Sequence, residues 1–87
     1  MASFKLFLKP SAEKELRKIP PPFIEKIFAK IGELAETPRP FGVKLMKDEE
    51  RFFRLREGDY RIIYDIDDAT QVVTIIKIGH RREVYDS

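Results

Sequence analysis

Cysteine and tryptophan are both missing from this chain, and histidine occurs once. Without cysteine there is neither a disulfide staple nor a thiolate-bound metal, so the fold must rest on packing, and a reducing cytoplasm is the expected compartment. A single histidine, with no second histidine and no clustered carboxylates beside it, makes no credible metal site or catalytic triad. No metal and no cofactor is expected. Long hydrophobic runs are lacking too. Nothing approaches the roughly 18 apolar residues that a membrane span needs, and the apolar patch in the N-terminal MASFKLFLKP is too short for a signal-peptide core. The chain is expected to be soluble and uncleaved, with no membrane partner. Repeats and low-complexity tracts are absent as well, and 87 residues make one small domain, 1–87, with a single core.

What is present is charge, 37% of the chain against 43% hydrophobic residues, and its order says more than its net value of +2. Residues 51–61 hold four arginines against Glu57 and Asp59; residues 62–76 hold only Asp65, Asp67 and Asp68; from Lys77 the chain is basic again through Arg81 and Arg82. A local basic site can therefore exist on a nearly neutral protein.

Hydrophobic spacing divides the chain into elements. In FKLFL, Phe4, Leu6 and Leu8 alternate with Lys5 and Phe7, the period of a strand. Pro10 suits a first helical turn, and Ala12, Leu16 and Ile19 share one helical face. PPP at 20–22 ends that helix, and Phe23 to Ala35 predicts a second, with a wide stripe of Phe23, Ile24, Ile27, Phe28, Ile31 and Leu34. The short proline-rich link makes the two a helical hairpin. After the loop TPRPFG the pattern turns to strands: Val43 to Met46, a hairpin of Arg51 to Glu57 with Tyr60 to Ile66, and Val72 to Gly79, with the acidic DIDD run turning into the last. The expected class is α+β: an antiparallel-rich sheet with an N-terminal strand, a two-helix hairpin on one face and a C-terminal β-meander.

The hairpin FFRLREGDYRIIYDID fixes a register. If Gly58 and Asp59 are its two loop residues, Glu57 faces Tyr60 and Arg56 faces Arg61. Phe53, Leu55, Ile62 and Tyr64 then share the core face, beneath the helix bearing Ile27 and Ile31, while Arg54, Arg56, Arg61 and Ile63 share the other. Continued parity in the last strand puts Val73, Ile75 and Lys77 on the cationic side and Val72, Thr74, Ile76 and Ile78 on the core side. Arginines opposite each other cost a sheet up to about 1 kcal/mol, which a polyanionic ligand would explain. The alternative is a solvated face with Asp65 or Glu57 as ion-pair partners. The closing KIGHRREVY adds Lys77, His80, Arg81, Arg82 and Tyr85, so that two basic clusters meet at one end of the sheet.

The order of elements, RLREGDYRIIYDID and the closing IGHRREVY together resemble the RelE toxins of prokaryotic toxin–antitoxin systems, within the RelE/ParE superfamily, over nearly the whole chain. The resemblance implies a ribosome-dependent endoribonuclease that cuts mRNA in the ribosomal A site and is held inactive by a RelB-like antitoxin wrapped around it. It places the family's basic positions on Arg54, Arg61 and Arg81 and its closing tyrosine on Tyr85. Arg56, Lys77, His80 and Arg82, in the same two basic clusters, are expected as further RNA-binding positions. Phe52 departs from the pattern, because the best-known member is basic there.

Such chemistry asks for no metal. RNA supplies its own 2′-hydroxyl nucleophile, and the protein must align it, take a proton, neutralise the phosphorane and assist departure of the 5′-oxygen. Arg61 and Arg81 suit the charge work, because a guanidinium fork matches two phosphate oxygens. Tyr85 is either a base, its pKa of about 10 lowered by Arg54 and Arg81, or a ring that stacks on a nucleobase. The rival readings are a ParE-like inhibitor of DNA gyrase and an RNA-binding module without turnover.

Overall fold

Alternation at the N-terminus produces β1 (Lys5–Leu8), whose Leu6 and Leu8 pack toward the core while Lys5 and Phe7 point away. The computed structural model describes residues 3–40, 43–45 and 52–80. Helix α1 (Pro10–Arg17) starts with its proline in the first turn, where the missing N–H has no helical partner to lose, and buries Ala12 and Leu16. Ile19 is buried too, just past the helix end.

Helix α2 (Phe23–Glu33) seats Ile27 and Ile31 in the core, followed by Leu34 beyond its last turn. The expected stripe was too wide. Phe28 is 64% exposed and Phe23 50% exposed, because the sheet covers only the ridge of Ile24, Ile27, Ile31 and Leu34, and a residue one step from Ile27 is turned about 100° away from it.

The strands β2 (Lys44–Leu45), β3 (Phe52–Glu57), β4 (Tyr60–Asp67) and β5 (Val72–His80) complete a five-stranded sheet in the order β1-β5-β4-β3-β2. Successive strands from β2 to β5 are antiparallel, and β1 joins the far edge parallel to β5. Met46 and Arg51, placed in strands by their pattern, lie outside the described residues. Helix α1 packs on β5 and α2 on β3, both against the same side of the sheet. The core is the layer between them: Leu55, Ile62, Tyr64, Ile66, Val73, Ile75 and Ile78 from the sheet meet Ala12, Leu16, Ile27, Ile31 and Leu34.

The hairpin has the expected register, with Glu57 opposite Tyr60, Arg56 opposite Arg61, Leu55 opposite Ile62 and Phe53 opposite Tyr64. Gly58 has φ of 62°, the positive value that the first central position of a type II′ turn needs.

Parity in β5 does not run through as expected. Ile63 pairs with Lys77 but Tyr64 pairs with Ile75, so Ile76 is an extra residue, a β-bulge. Before it the faces are exchanged. Val73 and Ile75 are fully buried in the core, and Val72 and Thr74 take the other side, while Lys77 and Ile78 fall as parity predicts. The period-2 pattern is symmetric in this strand because both faces are apolar, so a one-residue slip leaves no trace in the sequence.

Candidate functional site

Opposite the helices the sheet presents a face whose hairpin end is cationic. The β3–β4 register sets Arg56 across from Arg61 and Arg54 across from Ile63, so that three guanidinium groups share one side while Leu55, Ile62 and Tyr64 go to the core on the other. Arg54 and Arg61 are half-buried and Arg56 is exposed. Partial burial, then the neighbouring charges of Arg61 and Arg56, hold the Arg54 guanidinium below its ordinary pKa. The second of these causes, the charge of the neighbouring guanidinium groups, is one that a bound anion offsets.

The other basic positions are arranged differently. Lys77 stands across from Ile63 in register, yet its ammonium lies 3.3 Å from Glu15 Oε2 of α1, so its charge is engaged at the edge of β5. His80 pairs with Tyr60, and its ring meets the Tyr60 ring edge-on at 5.7 Å and 81°. Tyr60 also approaches Phe23 at 6.1 Å, and the three rings border a hollow of about 290 Å³ between the start of α2 and the hairpin turn. His80 thus sits beside the helices, away from the arginine face. Arg81, Arg82 and Tyr85 lie outside the described residues. Among the described residues no group of three or more His, Cys, Asp and Glu side chains is arranged to hold a metal ion, and no helix is long and apolar enough to cross a membrane.

Two features of the site's support have only faint signals in the sequence. The Tyr64 hydroxyl donates to the carbonyl of Pro38 at 2.7 Å, which anchors the loop after α2 to the middle of the sheet. Beside it Arg39 forms two hydrogen bonds with Asp68, at 3.2 and 2.8 Å, and lies 5.4 Å from the centre of the Phe53 ring. Arg39 therefore straps the TPRPFG loop across β3 to the β4–β5 turn, where Asp67 Oδ1 accepts from the amides of Ala69 and Thr70. Of the acidic run only Asp68 lies in the turn, since Asp65, Ile66 and Asp67 complete β4.

With this geometry, the family model for the ParE toxin of type II toxin–antitoxin systems matches residues 6–85. Toxin RelG of Mycobacterium tuberculosis is 34% identical over 77 residues, covering 86% of this chain and 87% of the relative. The chain belongs to the RelE toxin family, the toxin side of type II toxin–antitoxin systems. Another relative, the mRNA interferase toxin RelE of Escherichia coli, is 35% identical over 77 residues, covering 85% of this chain and 81% of its own. The solved toxin–antitoxin complex RelBE2 of M. tuberculosis contains a chain that superposes with a TM-score of 0.79 at 28% identity, covering 92% of this chain and all of that one. In this RelE-family toxin, then, the strand arrangement that collects Arg54, Arg56 and Arg61 belongs to the family's own fold.

Proposed function

We propose that this toxin is a ribosome-dependent endoribonuclease that cuts mRNA in the A site by attack of the RNA's own 2′-hydroxyl, without a metal ion. The observation that carries the reading is the helix-free arginine face, where the β3–β4 register sets Arg54, Arg56 and Arg61 on one side of the sheet. Crowded guanidinium groups cost the sheet stability and are repaid by a phosphate, more so by a phosphorane of higher charge.

In the proposed reaction the 2′-hydroxyl gives up its proton as its oxygen bonds to phosphorus, and the P–O5′ bond breaks as the 5′-oxygen takes a proton from solvent, which leaves a 2′,3′-cyclic phosphate and a 5′-hydroxyl. Arg61 and Arg81 hold the non-bridging oxygens; Arg54 adds positive potential beside them. Tyr85 either accepts the 2′ proton or stacks on the neighbouring base. Arg56 and Arg82 engage flanking phosphates, whereas Lys77, paired with Glu15, and His80, on the helix side of the sheet, take no part in the site as the structure arranges it. The relative named an mRNA interferase supports the ribonuclease reading, and the relative solved in complex with an antitoxin supports a RelB-like partner for this chain.

A second reading has one observation in its favour: the family model that matches is that of the ParE toxins, and a ParE-like protein would act on DNA gyrase. Mapping the 5′ ends of a message on translating ribosomes, alongside a supercoiling assay with gyrase, separates the two. New 5′-hydroxyl ends within A-site codons support the nuclease; inhibited supercoiling with an intact message supports the gyrase inhibitor.

A further inference from the structure

Strand β5 outruns its neighbour. Its parallel partner β1 ends at Leu8, opposite Ile75, and the bulge at Ile76 follows at once. A bulge bends a strand and interrupts its ladder, so the stretch from Lys77 to His80 leaves the shelter of β1 just where its own geometry is least regular. Helix α1 supplies the missing partner from a single side chain. Glu15 Oε1 accepts the Ile78 amide at 3.0 Å, and Glu15 Oε2 accepts from Lys77 Nζ at 3.3 Å.

The carboxylate is well placed for this. Glu15 is half-buried and next to Leu16, whose side chain is in the core, so α1 cannot slide along β5 without unpacking. On the other side of β5 the pairing with β4 continues to Tyr60 and His80, whose rings are in edge-on contact. The end of β5 is therefore held from both flanks, by a strand on one and by one carboxylate on the other.

We propose that Glu15 is a positioning residue: it acts as a one-residue substitute for β1, fixing Ile78 to His80 and so the point from which the chain continues to Arg81. It touches no RNA. The inference rests on the reading of Arg81 as a phosphate contact. A displacement of about 1 Å at a catalytic group is enough to cost up to about a hundredfold in rate.

The test compares Glu15→Ala, Glu15→Gln and, as a control on the same helix, Glu13→Ala, which removes a surface carboxylate paired within α1 to Arg17. Amide exchange at Ile78 is followed in the purified chain, and cleavage on programmed ribosomes is resolved into kcat and KM. Glu15→Ala should speed Ile78 exchange and lower kcat, each by about tenfold, with KM little changed. Glu15→Gln keeps an oxygen that can accept the same amide and should stay within about threefold of the wild type in both; Glu13→Ala should match the wild type.

An unchanged kcat in a Glu15→Ala protein whose Ile78 amide has opened overturns the proposal, as does a Glu15→Gln variant as damaged as the alanine. A raised KM at constant kcat overturns it in favour of direct RNA contact. If the wild-type chain cuts no RNA, the ribonuclease reading fails and takes the positioning role with it, whereas the exchange data still report whether the tether exists.

Discussion

Burial first, then the charges of Arg61 and Arg56, lower the Arg54 pKa, and these three side chains mark the cationic end of the sheet face. Replacing Arg61 with alanine should slow ribosome-dependent cleavage by about a hundredfold or more, the loss of a preorganised charge contact of about 2.7–4 kcal/mol. Folding should survive, because Arg61 projects from the face away from the core. Tyr85→Phe separates base from stacking ring: loss of about 10²–10⁴ in rate identifies a base, and a small effect identifies a stack. Tyr64 makes a prediction about pH. Burial pushes its phenol above its ordinary value of 10.0, with the Arg39 charge opposing weakly. The folded state therefore favours the neutral hydroxyl that donates to Pro38, so its contribution to stability is full below pH 10 and falls as pH rises further and the unfolded chain ionises. Urea titrations between pH 8 and 11 should show that decline in the wild type, and Tyr64→Phe should flatten it.

At the scale of elements, the hairpin and the bulge differ in how much the sequence reveals. Register across β3 and β4 was legible because one face is apolar and the other charged, so a slip by one residue would bury Arg54, Arg56 and Arg61. Gly58 adds an independent constraint at the turn. Space for a Cβ exists there, but φ of 62° is costly for any other residue. Gly58→Ala should lower stability by about 1–2 kcal/mol, read from denaturant midpoints. In β5 the signal vanished, since Val72, Val73, Ile75 and Ile76 fit either face equally, and only the structure locates the extra residue. The Glu15 and Arg39 contacts were hidden for a different reason: each joins segments far apart in the chain, 63 residues for Glu15 with Ile78 and 29 for Arg39 with Asp68, and a charged residue on a helix or in a loop looks the same whether or not its partner exists.

For the whole molecule, the division of labour is between the two faces of one sheet. The helices seal the inner face, and the outer face, left uncovered by them, gathers the arginines of β3 and β4. A basic face on the side away from the helices, together with Phe23 and Phe28 exposed along α2, suits an acidic, extended antitoxin that folds as it binds and recovers its ordering cost over a large surface. Co-expression with such a partner should rescue growth of a host that the toxin alone arrests; harmless expression of the chain by itself would argue against a toxin in need of restraint.

The arginine face as a phosphorane-stabilising site is tested most directly by single-turnover cleavage of a message on ribosomes with a defined A-site codon, using the wild type and Arg61→Ala, with the 5′ ends mapped and their chemistry read. The wild type should give 5′-hydroxyl ends within that codon, unaffected by a chelator once ribosomal magnesium is maintained, and a folded Arg61→Ala should cleave at a rate at least about a hundredfold lower. Cleavage by Arg61→Ala at the wild-type rate, or products carrying a 5′-phosphate, would contradict it.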